Sequence, residues 1–225
     1  MPSPELSTVD AVCWDWNGTL LDDTDIAREA MNSVLREHDL PVLPTADAYR
    51  RAFHFPVQEF YVSLGIRRAE FRVAAGRYLE LFADRVRHAR LQPAAVATLS
   101  AVGQLGVEQV LISATIADTL EIQLAPHAIG THFAQILGIA DAFVASKADT
   151  VAQWLRSSGH DPRRVLMVGD TNHDEEIAAE LSVRFVRFAR GHQEPPDHDL
   201  FPVIHELGEV LQHVSRDPSA GREPG

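Results

Sequence analysis

The sequence predicts an α/β protein, a doubly wound parallel sheet with an all-helical domain inserted after its first strand. Three observations lead there. From Ala94 onward, short apolar strand candidates alternate with helical patterns, which in a compact chain gives a parallel sheet covered on both faces. Between the first strand candidate and Pro93 the periodicity is helical throughout, with no strand signal. Residues able to do acid, base or phosphate chemistry follow the strand candidates at their carboxyl ends, where sheets of this kind bind ligands.

The run Ala11-Val-Cys-Trp-Asp-Trp reads as a buried strand that breaks at Asn17-Gly18, a turn signal. Trp14 and Trp16 flank Asp15 and by alternation share the opposite face, Trp14 toward the core and Trp16 toward the inserted domain. From Thr24 to His38 the positions Ile26, Ala30, Met31, Val34 and Leu35 keep helical spacing behind Thr24 or Asp25 as a cap. Helices follow over Asp47 to Phe53, from Pro56 at a first helical position to Leu64, and from Ala69 to about Arg90. After Pro93 come a helix over Ala94 to Leu105 and strands at Gln109 to Ile112, Phe133 to Leu137, Val165 to Val168 and Arg184 to Phe188. Helices over Ile116 to Leu124, Lys147 to Ser157 and Asp174 to Leu181 separate or follow them, and Phe201 to Val214 reads as a final amphipathic helix. The expected division is a Rossmann-like core of residues 1–21 and 93–225, an inserted helical domain of residues 22–92, and a mobile polar tail at 215–225.

A chain of 225 residues, 45% hydrophobic and 23% charged, suffices for one large core and a small insertion. Its start lacks the basic and apolar regions of a secretory leader, and no stretch approaches the roughly 20 apolar residues of a membrane span. The single cysteine, Cys13, lies in an apolar run as a buried core thiol. A cytoplasmic protein without membrane contact is expected. The net charge of −12 argues against nucleic acid as a partner, because tracking a phosphate backbone takes a clustered basic surface. Eleven arginines balance eleven acids between Asp22 and Gln92, so the excess negative charge lies outside the insertion. Of the 20 basic residues only Lys147 is lysine; the others are arginine.

Asp15 follows the first strand, Ser113 the second, Lys147 opens a helix, and Asp170 and Asp174 follow Val165 to Val168. Carboxylates, a hydroxyl and an ammonium in one crevice suit a phosphate held by a divalent cation, Mg²⁺ taking oxygen from one or two carboxylates. A carboxylate there can also attack phosphorus and form a covalent intermediate. A lysine opening a helix is ordinarily solvated. Here it is the one compact point charge in a chain that otherwise uses arginine, which sets it apart from an ordinary surface cation. Ser113 alone could be a strand-end hydroxyl bonding locally, and Asp174 a helix-end charge.

In order and strand context, four segments resemble the motifs of the haloacid dehalogenase superfamily, in its phosphatase branch with a helical cap, nearest the phosphoglycolate-phosphatase-like group. They are DWNGTLLDD from Asp15 to Asp23, VLISA reaching Ser113, ASKAD around Lys147, and GDTNHD from Gly169 to Asp174. The resemblance implies Asp15 as nucleophile and Mg²⁺ ligand, the backbone carbonyl of Asn17 and the Asp170 carboxylate as further ligands, and Asp174 as partner of metal-bound water or of Lys147. It also implies that Ser113, Ala114 and Lys147 hold the phosphoryl oxygens, and that residues 22–92 form the cap. Cap residues Arg51 and His54, near the helix start at Pro56, are candidates to read the leaving group, although cap packing and surface charge explain any one such residue more readily.

The family pattern has a second carboxylate where this chain has Asn17, usually the acid for the leaving oxygen and the base for water. Asparagine does neither. Three readings follow: a phosphatase for good leaving groups or with a substitute base, a phosphoryl carrier or transferase whose intermediate persists, and a noncatalytic phosphate-binding module. The first is expected, acting on a small phosphorylated acid, sugar or related metabolite. The sequence is silent on oligomeric state.

Overall fold

The structure, a computed structural model, describes residues 8–141, 146–197 and 200–214, so the tail at 215–225 lies outside the described residues. The chain enters the sheet with β1 (Ala11–Trp14), whose four residues are all buried, as in a strand covered on both faces. A two-residue strand β2 (Leu21–Asp22) precedes helices α1 (Thr24–Glu37), α2 (Ala46–Ala52), α3 (Val57–Ser63) and α4 (Phe71–Val86). A second short strand, β3 (Arg90–Leu91), pairs antiparallel with β2, so the chain's way into and out of the helical segment runs side by side.

Helix α5 (Ala95–Gln104) then leads to β4 (Glu108–Ile116), α6 (Ala117–Leu124), β5 (Gln135–Ile139), α7 (Lys147–Ser158) and β6 (Val165–Gly169). Helix α8 (Asn172–Leu181), β7 (Arg184–Phe188), β8 (Val203–Ile204) and α9 (Leu211–Val214) complete the fold. The sheet runs β5-β4-β1-β6-β7-β8 with every neighbouring pair parallel. The chain builds outward from β1 to one side and returns to build the other, which puts the topological switch point at the carboxyl end of β1. Asp15 is the next residue.

Strand alternation divides the apolar side chains between two cores. Val12, Trp14, Leu111, Leu166 and Val168 pack with α5 and α6 on one face, while Cys13, Val110, Ile112 and Met167 pack with α7 and α8 on the other. Each fully buried aliphatic or aromatic side chain of this kind contributes about 1.5–3 kcal/mol. A third core belongs to α1–α4, where Ala27, Met31, Val34 and Leu35 meet Tyr49, Phe60 and Tyr61.

Several elements differ from their sequence expectation. Phe201 to Val214 is not one helix: Val203 and Ile204 pair with Arg187 and Phe188 at the sheet edge, and only Leu207–Val210 and α9 are helical. The open edge of β7 offers hydrogen-bond partners that local periodicity does not reveal; Arg187 N–H donates to Pro202 O at 2.8 Å. The second strand continues through Ser113 to Ile116, with an irregularity in its pairing between Ile112 and Ile116. Its neighbour runs over Gln135–Ile139 rather than ending at Leu137. Helix α8 starts two residues before Asp174, because Thr171 supplies the cap. Asp23, rather than Thr24 or Asp25, stands at the start of α1, with its carboxylate turned elsewhere. Trp16 is core like Trp14, fully buried with its indole N–H donating to Gln123 at 2.8 Å.

Candidate active site

Asp15 leaves β1 with its N–H donating to Val168 O at 2.9 Å, which pins it where the sheet ends. Lys147, the first residue of α7 behind the Ser146 cap, is 4% exposed. Its ammonium donates to Asp15 and, at 2.7 Å, to Asp174. Asp174 is oriented by the capping box of α8: Thr171 donates from its N–H at 3.1 Å and its hydroxyl at 2.7 Å to the second carboxylate oxygen. One Asp174 oxygen therefore serves the helix and the other the lysine. The capping and site roles coexist.

Asp170 is fully buried and accepts from the Thr19 hydroxyl at 3.0 Å and from His192 N–H at 2.5 Å. Gly18 makes this approach possible. It sits at φ +79°, and a Cβ there would lie 2.4 Å from an Asp170 oxygen. Ser113 Oγ donates to Thr115 Oγ1 at 3.0 Å, and Thr115 Oγ1 donates to Asn17 Oδ1 at 2.8 Å. The other end of the Asn17 amide donates to Asp23 at 2.8 Å. Ala114, exposed, borders the same opening. The structure thus brings Asp15, Asn17, Ser113, Ala114, Lys147, Asp170 and Asp174 to one cavity of about 680 Å³.

Arg51 and His54 do not join them. Arg51 is exposed, and His54 packs edge-on against Phe60, neither lining that cavity. The preceding arginine makes the cap-to-core contact instead, Arg50 Nε donating to Gly191 O at 2.9 Å. Asn172 and His173, which sequence reasoning left out, fasten the cap: Phe55 N–H donates to Asn172 Oδ1 at 3.0 Å, and His173 stacks on the Phe55 ring at 4.8 Å. Asp23 and His192 were also missed. Buried His192 contacts Asp23 at 3.1 Å through Nε2 and the Tyr49 hydroxyl at 3.2 Å through Nδ1. The signal for His192 was available, since it lies in the loop after β7, where the strand-end rule that found Asp170 also points.

Burial pushes Asp15 up to about 8, with Asp174 and Asp170 adding to the rise against the pull of Lys147. Asp170 is raised by burial as well, although His192 opposes it. Burial works against the charge of Asp174 too, but Lys147 prevails and holds it below the usual carboxylate range. Asp15 and Asp170 are therefore the carboxylates whose charge burial disfavours on balance, in Asp15 despite its contact with Lys147. Ligand atoms of Asp15, Asp170 and Asp174 lie within 4.8 Å of one another. Clustered hard oxygen donors, whose charged form a cation beside them would favour, fit Mg²⁺, which is bound through one or two carboxylates with its remaining positions free for water and phosphate.

The model of the haloacid dehalogenase-like hydrolases matches residues 12–188. The chain belongs to that family. No curated protein matches it in sequence. Among solved structures it is similar to a haloacid dehalogenase-like family hydrolase from Streptococcus pneumoniae, with 20% identity, TM-score 0.76, and coverage of 92% of this chain and 99% of that one. Protein Tyrosine Kinase A of Mycobacterium tuberculosis superposes with 20% identity, TM-score 0.79, and coverage of 93% and 100%. A protein described as a predicted phosphoglycolate phosphatase from Haemophilus somnus does so with 16% identity, TM-score 0.70, and coverage of 93% and 99%. At these identities the likeness is one of fold. Within a haloacid dehalogenase-like hydrolase, α1–α4 occupy the place of a helical cap over the carboxyl end of the sheet. Among the described residues, no helix is long and apolar enough to cross a membrane.

Proposed function

We propose that this hydrolase is a Mg²⁺-dependent phosphatase that cleaves a small phosphorylated metabolite through an aspartyl-phosphate on Asp15. The observation that carries the reading is the buried triad in which the chain's single lysine bridges Asp15 and Asp174. A buried ammonium with two carboxylates is costly, and a solely structural role would be filled as well by apolar packing. Asp15, the Asn17 carbonyl and Asp170 would hold the cation, which supplies charge neutralisation to the transferring phosphoryl group.

In the first step an Asp15 oxygen attacks phosphorus, the bond to the leaving oxygen breaks, and that oxygen departs with the electron pair. Lys147, Ser113 and Ala114 hold the phosphoryl oxygens in place. In the second step water attacks phosphorus and releases phosphate and Asp15. Asn17 provides no proton to the leaving oxygen, so leaving groups stable as anions are favoured.

Phosphate release from p-nitrophenyl phosphate, dependent on Mg²⁺ and abolished in Asp15→Asn, tests the reading. Full activity in Asp15→Asn removes the covalent route. A phosphoryl carrier or transferase is the second reading, favoured by the missing carboxylate at 17, which would also have activated water. Acid-quenched protein that keeps its phosphoryl group after substrate is exhausted would support it over hydrolysis. Cytoplasmic location goes with either reading.

A further inference from the structure

The cavity beside Asp15 is far larger than a phosphoryl group needs. At about 30 Å³ for each water-sized unit, 680 Å³ leaves room for roughly twenty of them. Its far side is built by the cap, and the lining there is largely apolar: Phe53, Phe55, Val57, Phe71, Leu79 and Phe82 face it. Of the chain's sixteen aromatic side chains, eight line this one cavity among the described residues.

The charges are as telling. Residues 22–92 carry eleven arginines, and none lines the cavity. Lys147, the lysine that does, is taken by Asp15 and Asp174, and His192 is taken by Asp23. Besides Asp23, the polar side chains that residues 22–92 bring to the cavity are Tyr49, Gln58, Tyr61 and Tyr78; burial holds the three phenols well above their ordinary range, so they stay neutral, as the Gln58 amide is. A carboxylate on the leaving group would meet no arginine here and no lysine left free, only neutral donors such as Gln58 and His173, whose own charge burial disfavours, and a buried charge without a counter-charge is strongly disfavoured.

Chemistry at the phosphoryl end points the same way. With Asn17 amide-locked between Thr115 and Asp23, the position offers no acid to an alkoxide, whereas a phenolate leaves without one. From these two independent observations we infer that the cavity accepts the uncharged aromatic leaving group of an aryl phosphate, in place of the small phosphorylated acid, sugar or related metabolite expected from the sequence. The inference rests on the hydrolytic reading only for the position of the phosphoryl group.

Binding separates the two. With Mg²⁺ present, calorimetric titration compares 1-naphthylmethylphosphonate with 3-phosphonopropionate on the wild type and on Leu79→Arg, a substitution at a residue 42% exposed on the cavity rim. The wild type is expected to bind the naphthyl compound at least about tenfold more tightly, and Leu79→Arg to shrink that ratio by about tenfold by giving the carboxylate a partner. Equal or tighter wild-type binding of the carboxylated compound, or binding of neither, overturns the inference. Phosphate release from acetyl phosphate, measured on the same preparation, tests the hydrolytic reading separately. Release with no aromatic preference in binding removes the aryl assignment alone. Aromatic preference without release removes hydrolysis and keeps the assignment.

Discussion

The Asn17 side chain donates to Asp23 at 2.8 Å while accepting from Thr115 at the same distance, so both ends of its amide are fixed. Asp23 in turn accepts from Gly18 N–H at 2.8 Å and contacts His192 at 3.1 Å. A residue that departs from the family pattern is therefore built into a part-buried network. An aspartate at 17 would put a second carboxylate against Asp23, where an amide N–H now donates.

Asn17→Asp should raise turnover of alkyl phosphates by up to about 10²-fold and change aryl phosphates little, because the added acid assists only the poorer leaving groups. It should also cost about 1–3 kcal/mol of metal-free stability through the lost donor. A leaving-group series and urea unfolding with chelator present measure both. An equal change for alkyl and aryl esters excludes a missing proton donor as the defect.

Lys147→Arg should lose at least about tenfold in kcat although the charge is kept, since a planar head cannot occupy a point-charge site this buried. Lys147→Met should destabilise the protein by about 3–5 kcal/mol, leaving Asp15 and Asp174 facing each other without their cation. Wild-type kinetics in the arginine variant would reduce Lys147 to a structural residue.

Chelation should abolish phosphate release, and Mg²⁺ should restore it and raise the melting temperature, because a ligand bound only by the native state stabilises it. In Asp170→Asn the Mg²⁺-dependent part of that shift should largely disappear. A full Mg²⁺ shift in this variant would move the cation site away from Asp170.

His192 is pushed up to about 9 from 6.5: burial opposes its charge, but the Asp23 carboxylate and their hydrogen bond outweigh it. A group raised on folding contributes stability that is whole below its unfolded value and is lost as pH rises through the folded one. Without metal, the wild type should exceed His192→Gln in stability at pH 6, and the gap should shrink by about 2–3 kcal/mol toward pH 10. Urea midpoints of both proteins at the two pH values provide the comparison. A gap that is flat with pH would mean that His192 titrates alike in the folded and unfolded protein.

The sequence alone determined the order of the core elements and the positions of Asp15, Ser113, Lys147, Asp170 and Asp174. Strands such as Val165–Gly169 are buried on both faces and must be apolar runs, and the residues that end them fall at the switch edge whatever the rest of the chain does. Lys147 was legible by a different signal, its singularity among arginines.

The tertiary structure alone decided what depends on groups far apart in the chain. Asp23 and His192 meet across 169 positions, and neither has a local pattern that names the other. Val203 and Ile204 became strand only because the β7 edge had backbone groups to satisfy, and Trp16 turned inward because Gln123 offered its indole a partner. Arg51 and His54 sit near Pro56 in sequence, yet the chain's path there brings Phe53, Phe55 and Val57 to the cavity instead. Periodicity records which side chains are buried. Which buried groups neutralise or solvate one another is set by distances between segments, and those exist only once the chain has folded.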